Sequence, residues 1–463
     1  MSFTDINSDI NSDINSDIDT DIGTWEGIFN QLCDRIFTNL NAQEHLVIEL
    51  VGEHSHFMRL NGGKVRQTGT VTDGALTLRL MADQRTAAAT VPFTGNLDRD
   101  SMAGLESLGH LRQELPQLPV DPYLVLPQNL GSSHAMYRGD LLSPQQAPQA
   151  ILPAVQSADF TGLYAAGPIL RANRNSAGQQ HWFATETFVL DYSMIAPSEK
   201  AVKATYADTH WHQDQFEAQI QQARSQLQVL DRPRRDVVPG RYRTYFAPAA
   251  LADLVGMLSW GAVSEASLQQ GGSALGKLRE GKTLSPLLSL REDFTHGTVP
   301  RFNSHGEVAP EVLPILADGK LVNTLINART AKEYDLTSTA ANGSESLRAP
   351  EVAVGTLPPE AVLSALGTGL YLSNLHYLNW SDRSGGRITG MTRYACFWVE
   401  NGEIVAPIQD LRFDESLYAF WGDNLEALTT HAEFVPDVDT YDMRSLGGTR
   451  VPGMLVNAFT FTL

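Results

Sequence analysis

The sequence predicts an α+β protein of two domains: a mixed N-terminal domain, then a C-terminal domain rich in antiparallel strands. Three observations predict it. Short runs of alternating hydrophobicity recur along the chain, separated by glycine-containing turn signals. Apolar residues at helical spacing are confined to a few well-separated segments. The segment 231–240 (DRPRRDVVPG) is charged, twice interrupted by proline and closed by glycine, the composition of a linker. Residues 1–24 are therefore read as a tail, 25–230 as the first domain, 231–241 as a linker and 242–463 as the second domain.

The tail repeats with a period of four, Asp5-Ile6-Asn7-Ser8 being one unit. Alternate carboxylates suggest calcium, but the glycines of a calcium loop are missing, and so short a polar repeat cannot bury a core; disorder is expected. Residues 25–40 place Trp25, Ile28, Phe29, Leu32, Ile36 and Phe37 on one helical stripe, and Cys33 falls inside it. Alternating runs follow, broken at Asn61-Gly62-Gly63 and Asp73-Gly74, both hairpin signals. Residues 101–114 predict an amphipathic helix, and the Pro-, Gln- and Ser-rich stretch 115–155 a long surface excursion. Two strands separated by a turn at Asn173–Gly178 and a polar helix over 213–229 complete the first domain.

The second domain opens with a strand at Tyr242–Phe246 and a helix starting at Pro248. Residues 248–269 (PAALADLVGMLSWGAVSEASLQ) are apolar on more than one face and predict one largely buried helix. The remainder predicts strands with hairpins at Asp318-Gly319-Lys320 and Asn401-Gly402-Glu403, ending in a strand over Met454–Leu463.

Composition narrows the function classes. The 463 residues carry 42% hydrophobic and 19% charged side chains and a formal net charge of -19. No basic surplus exists to displace counterions from a nucleic-acid backbone or to seek an anionic membrane. Cys33 and Cys396 are the only cysteines, too few for a disulfide framework, and no run reaches the ~20 apolar residues of a spanning helix. A soluble, cytoplasmic protein is expected.

Three C-terminal stretches carry a resemblance. They are Pro248–Lys282 with its GGSALGKLREGKTLS loop, Val312–Ser344 (VLPILADGKLVNTLINARTAKEYDLTSTAANGS) and Gly385–Phe413 (GGRITGMTRYACFWVENGEIVAPIQDLRF). Together they resemble the TldD/PmbA family. The resemblance implies membership of a zinc peptidase system in which TldD-like and PmbA-like (TldE) subunits pair and act on small or unfolded peptides. The TldD-like subunit supplies zinc through His-Glu-x-x-x-His on a helix, with a later cysteine as a further ligand. Aligned on the helix from Pro248, those ligands fall near Gly256, Met257 and Gly261, and the cysteine near Met443–Arg444. None of the twelve histidines is followed by glutamate. The resemblance therefore implies a non-catalytic PmbA/TldE-like subunit that binds no cofactor, with zinc in a TldD-like partner and a peptide as substrate. The alternatives are a binding or interaction protein, as a homodimer under the family's older label of modulator of DNA gyrase, or an autonomous hydrolase with an unrecognised site.

Other side chains are weaker candidates. His54 and His56, and His210 and His212, are spaced by two, so a strand would put each pair on one face, able to hold a metal only with a third ligand. His296 and His305 sit in a loop expected to rim the cleft. The Gly271–Lys277 loop lacks phosphate-loop spacing and is read as a mobile hairpin. Arg383, Gly385, Gly386, Arg387 and Arg393 are candidates for a peptide cleft or an interface, since guanidinium groups can take a peptide carboxylate. Cys396 is expected in the core.

Overall fold

The structure, a computed structural model, describes residues 24–440 and 442–462. The repeat read as a disordered tail lies outside the described residues as far as residue 23. The described residues form two sheets, an α+β architecture of two domains.

The first sheet has seven strands: β1 (His45–Asn61), β2 (Lys64–Ala82), β3 (Arg85–Pro92), β4 (Ser133–Tyr137), β5 (Asp159–Asn175), β6 (Gln180–Ile195) and β7 (Ala201–Asp208). Their order is β3-β2-β1-β5-β6-β4, with β7 also on β6, and β4 is parallel to β6. Alternation along the strands separates two faces. Leu46, Ile48 and Leu50 of β1, with Leu76, Leu78 and Leu80 of β2, pack under helix α1 (24–37) and α2 (Leu97–Glu114). At the other end, Met58, Phe160, Tyr164 and Phe188 join residues of α3 (Gln146–Val155) and α4 (Gln213–Leu230). That cluster also takes Ala395 and Phe397 from the second domain, so the two domains share a core. The opposite face of β1, with Glu49, Val51 and Glu53, turns toward the second domain.

The second sheet has thirteen strands. Those nearest the site are β8 (Gly240–Phe246), β9 (Leu290–Asp293), β10 (Val312–Ala317), β11 (Lys320–Leu321) and β12 (Pro350–Val352). Next come β13 (Gly369–Leu372), β14 (Asn374–Asp382), β15 (Arg387–Arg393), β16 (Phe397–Glu400) and β17 (Glu403–Pro407). The last are β18 (Arg412–Ser416), β19 (Leu425–Pro436) and β20 (Gly448–Phe461). Helix α5 (Pro248–Gly256) lies against β20, β14 and β19, with Leu251, Leu254 and Val255 in the main core.

Four local readings are corrected. The Asp73-Gly74 pair makes no turn: β2 passes straight through it, pairing with Glu53 and Gly52. A Cβ on Gly74 would sit 3.1 Å from the Phe93 carbonyl, so this glycine serves close approach of chains. The reversal falls instead at Asp83-Gln84, whose φ values are 50 and 57°. The stretch 115–155 is more than an excursion, because it contains β4 and α3; Ala147, Ile151 and Val155, four residues apart, are buried. The helix expected over 248–269 is broken. After α5 comes a 3-10 turn at Met257–Ser259, then Gly261 at φ 83°, then α6 (Glu265–Gln269) capped by the Ser264 side chain. Glycine and serine here offer the backbone an exit and a new start. The Gly271–Lys277 segment is no mobile hairpin: Ser273 is 3% exposed and donates to the Ala262 carbonyl at 2.5 Å, beside buried Ala274 and Leu275.

Candidate functional site

The polar face of the first sheet and the second domain enclose a cleft of about 970 Å³. Glu49, Val51 and Arg171 contribute from the sheet, and Asp253, Gly256, Met257 and Trp260 from α5 and the turn after it. Asp253 and Gly256 lie three residues apart on α5, and Met257 and Trp260 follow in the 3-10 turn and just after it. The loop 299–304 and the start of β14, Leu375–Leu378, complete the walls.

Two carboxyl groups in this cleft are held away from their ordinary state. Asp253 opens into the cleft yet is walled by protein, which pushes its carboxyl up to about 7; the Leu375 N–H, donating to Oδ2 at 3.2 Å, opposes this. Burial likewise pushes Glu49 up to about 7, against the pull of Arg79 at 3.6 Å. Arg348 is committed elsewhere: it donates to the carbonyls of Phe302 and Ala340 at 3.2 and 3.0 Å and lies 4.8 Å from the Phe294 ring.

Gly256 and Met257, where the resemblance puts zinc ligands, do line the cleft. Neither side chain offers an imidazole, carboxylate or thiolate. A Cβ on Gly256 would meet nothing within 4 Å, leaving open space. Gly261 lies beyond the end of α5 in a left-handed turn, so no continuous helix joins the three positions. These residues do not fit a zinc ion.

The position expected for the family's cysteine holds Arg444, 6% exposed. It reaches from the segment before β20 into the first sheet, where the pairing of β1 with β5 is interrupted between Glu53 and His56. One terminal nitrogen donates to Ser55 Oγ and the Gly167 carbonyl, each at 3.1 Å. The other donates to Thr187 O and Oγ1 at 2.9 and 2.8 Å. Burial lowers the guanidinium pKa to about 10, opposed by the nearby Glu53 carboxylate. Gly167, at φ 143°, makes the approach possible: a Cβ there would lie 2.1 Å from the His54 carbonyl oxygen.

The histidine pairs do not assemble ligand sets. His54 Nδ1 is 2.7 Å from Thr72 Oγ1, while His56 packs against the Tyr164 ring and burial pulls its pKa down to about 4. His210 lies 2.9 Å from Thr209 Oγ1, and His212 precedes α4 with its carbonyl accepting from Tyr206. Among the described residues, the group of three ligand types that converges is Asp293, His296 and Glu351. Pairing of β9 with β12 brings Glu351 opposite Arg291, a juxtaposition invisible in sequence. Arg291 bridges Asp293 and Glu351 at 2.9 and 2.6 Å, and His296 is 3.0 Å from Glu351. The arginine already neutralises this site, which is an ion-pair network. His305 does not join it; its ring nitrogen is 3.5 Å from Ser304 Oγ.

The arginine-rich hairpin is largely satisfied internally. Arg387 pairs with Asp414 at 2.8 Å and Arg393 approaches Asp410 at 3.8 Å. Gly385 and Gly386 close the turn, their N–H groups donating to Asp382 and the Arg383 carbonyl. Arg383 reaches toward the turn after α5, its guanidinium 3.7 Å from where a Cβ on Gly261 would sit. Cys33 and Cys396 are both buried, and burial raises both thiol pKa values. No helix of the described residues is long and apolar enough to cross a membrane.

Comparison with known proteins matches this architecture. Residues 239–463 match the family of the PmbA/TldA metallopeptidase C-terminal domain. The metalloprotease PmbA of Escherichia coli O157:H7 is 34% identical over 121 residues, which is 26% of this chain and only 25% of that protein's length. A Thermotoga maritima structure provisionally described as a modulator of a DNA gyrase superposes with a TM-score of 0.74 at 16% identity, covering 94% of this chain and 100% of that one. TldE from Thermococcus kodakarensis gives 0.73 at 14% identity, over 90% of this chain and 97% of that one. The structural likenesses speak for the fold, and the family match speaks for the C-terminal half. The chain belongs to the metallopeptidase-like TldD/PmbA family.

Proposed function

We propose that this chain is a non-catalytic, PmbA/TldE-like subunit that pairs with a zinc-bearing TldD-like partner and completes a peptide-accepting cavity. The observation that carries this reading is the cleft wall at Gly256 and Met257: the cleft of about 970 Å³ is retained, while the positions where the family's ligands fall have nothing to bind a metal or activate water. Its edge supports a peptide ligand. Strand β14, whose Leu375–Leu378 line the cleft, pairs only with β15 among the described residues, so no strand covers its other edge, and beyond the Leu375 N–H that Asp253 takes an extended chain could be added there. Backbone pairing of this kind gives affinity with little sequence choice, and the fixed walls supply orientation.

The test is a peptide-cleavage assay with an unfolded fluorogenic peptide and metal analysis of the same samples. The chain alone leaves the peptide intact and carries no stoichiometric zinc. Addition of a TldD-like subunit with His-Glu-x-x-x-His restores cleavage beyond what that subunit achieves alone. Chelator-sensitive cleavage by the isolated chain, or about one tightly held zinc per chain, overturns the reading. So does a partner that reaches full activity without it.

A further inference from the structure

The cleft is lined by a carboxyl group, Asp253, that forms no ion pair among the described residues, and by two exposed aromatic residues, Trp260 and Tyr377. Asp253 accepts one backbone N–H, from Leu375. Of the other charged groups of the cleft, Glu49 faces Arg79 at 3.6 Å, Arg171 donates to the Leu170 carbonyl at 2.7 Å, Arg348 is held by carbonyls, and Asp437, at the far rim in the segment after β19, accepts the Asp439 N–H. One turn along α5, Gly256 leaves open space where any other side chain would stand. Just past the 3-10 turn that ends the helix, Trp260 is 52% exposed. Across from them, two residues after the N–H that touches Asp253, Tyr377 is 78% exposed and carries φ 52°. It sits where the β14–β15 register breaks between His376 and Asn379, with its ring 4.1 Å from that of His376. A tyrosine held in left-handed backbone and turned into a cleft is a strained feature that core packing does not require, and such outliers concentrate at binding sites.

We propose that the gap over Gly256, between the Asp253 carboxylate and the rings of Trp260 and Tyr377, binds a primary ammonium group of the peptide held in the cleft. This rests on the peptide-cleft reading above and adds a preference to it. The chemistry selects the ligand. An apolar side chain would leave the carboxylate desolvated and unpaired, which costs more than its burial returns. A metal ion would need three or more ligand atoms, and no such group converges here among the described residues. An ammonium satisfies both halves at once, with a charge-assisted hydrogen bond to Asp253 and its CH₂ stem or charge over aromatic faces. It can arrive as a lysine side chain or as the peptide's N-terminal amine.

Three labelled hexapeptides separate the cases in an anisotropy titration of the full chain. One is an N-acetylated alanine peptide with a single lysine, one has norleucine in its place, and one is all-alanine with a free N-terminus. The lysine or free-amine peptide should bind about tenfold more tightly than the norleucine peptide, and which of the two does so names the source of the ammonium. Asp253→Asn should abolish that preference while leaving norleucine-peptide affinity unchanged. Tyr377→Gly should weaken it without lowering Tm, because glycine relieves the left-handed backbone. Equal affinities for all three peptides, or a preference that survives Asp253→Asn, refutes the ammonium site alone and leaves the peptide cleft standing. Absence of binding by all three, with the chain alone and with a TldD-like subunit added, refutes the peptide reading and the site with it.

Discussion

Arg444→Met should be among the most damaging single substitutions in the chain. The guanidinium is 6% exposed and makes four hydrogen bonds to Ser55, Gly167 and Thr187, all in the other domain. Methionine keeps the volume of the stem but leaves those acceptors buried without donors. It also leaves Glu53, 4% exposed, with only the Ser55 hydroxyl at 2.8 Å and a long contact from the Arg444 backbone N–H at 3.4 Å. Each buried acceptor left without a donor costs about 1–3 kcal/mol, and loss of the cation near Glu53 adds to this, so about 3–5 kcal/mol is expected in all. At roughly 2–4 °C per kcal/mol for domains of this size, Tm should fall by about 10 °C. Arg444→Lys keeps the charge but cannot fork across four acceptors, and should fall between wild type and methionine. Differential scanning calorimetry reads these shifts, and limited proteolysis of the 437–447 segment reads loss of the tether. A double-mutant cycle supplies the sharper check: Glu53→Gln should recover part of the loss in the Arg444→Met background, because it removes the stranded charge. A Tm shift below about 2 °C for Arg444→Met, or no coupling to Glu53, refutes the claim that this arginine holds the domains together.

Two further outcomes follow from the same interdomain seam. Gly167→Ala should cost more than about 2 kcal/mol in thermal unfolding, since its φ of 143° and a Cβ 2.1 Å from the His54 oxygen leave no unstrained solution; a Tm within 1–2 °C of wild type would refute it. His56 should impose an acid limb on stability. Its folded pKa of about 4 lies below the unfolded value of 6.5, so the unfolded state binds the extra proton between those values. Its contribution is complete above pH 6.5 and is lost as pH falls toward 4, by up to roughly 3 kcal/mol. A Tm series from pH 7 to 4 should therefore be flatter in His56→Gln than in wild type, and parallel curves count against the assignment.

Much of the fold is legible in sequence because its signals are local. Gly62-Gly63, Asp318-Gly319 and Asn401-Gly402 make the turns expected of them, each with both residues at positive φ. The α1 stripe, with Cys33 inside it, is buried as its spacing predicts. The failures are those in which a residue serves a partner far away in sequence. Gly74 serves Phe93, and Gly261 with Ser264 serves a break in a segment that hydropathy alone reads as continuous. Helix α3 is hidden in a stretch whose proline and glutamine content outweighs three apolar residues four apart. The cleft is legible only in part. Its wall at Gly256 and Met257 could be placed through the family resemblance, but its floor comes from Glu49 and Arg171, brought there by sheet register. Arg444 carried one signal, the absence of a cysteine, and nothing in its neighbourhood announces that it spans two domains.

On the proposed non-catalytic reading, the geometry of α5 explains how a chain could keep this cleft without metal chemistry. Burial on the helix is assigned to Leu251, Leu254, Val255 and, in the next turn, Leu258, which pack into the main core of the second domain. Those residues fix the helix's position and depth through apolar area, whatever stands on the other stripe. Asp253 and Gly256 occupy that other stripe, with Trp260 just past the helix, and face space. Stability and chemistry are thus divided between two faces of one helix, so the ligand-bearing face can lose its imidazoles at little cost to folding. Removing a buried apolar side chain from the first face would leave a cavity of a few kcal/mol. Removing a metal ligand from the second merely opens space, and at Gly256 the space adjoins a carboxyl group that forms no ion pair among the described residues. On that reading, what remains is a wall placed by the core and tied across the domain seam by Arg444, available as a binding surface.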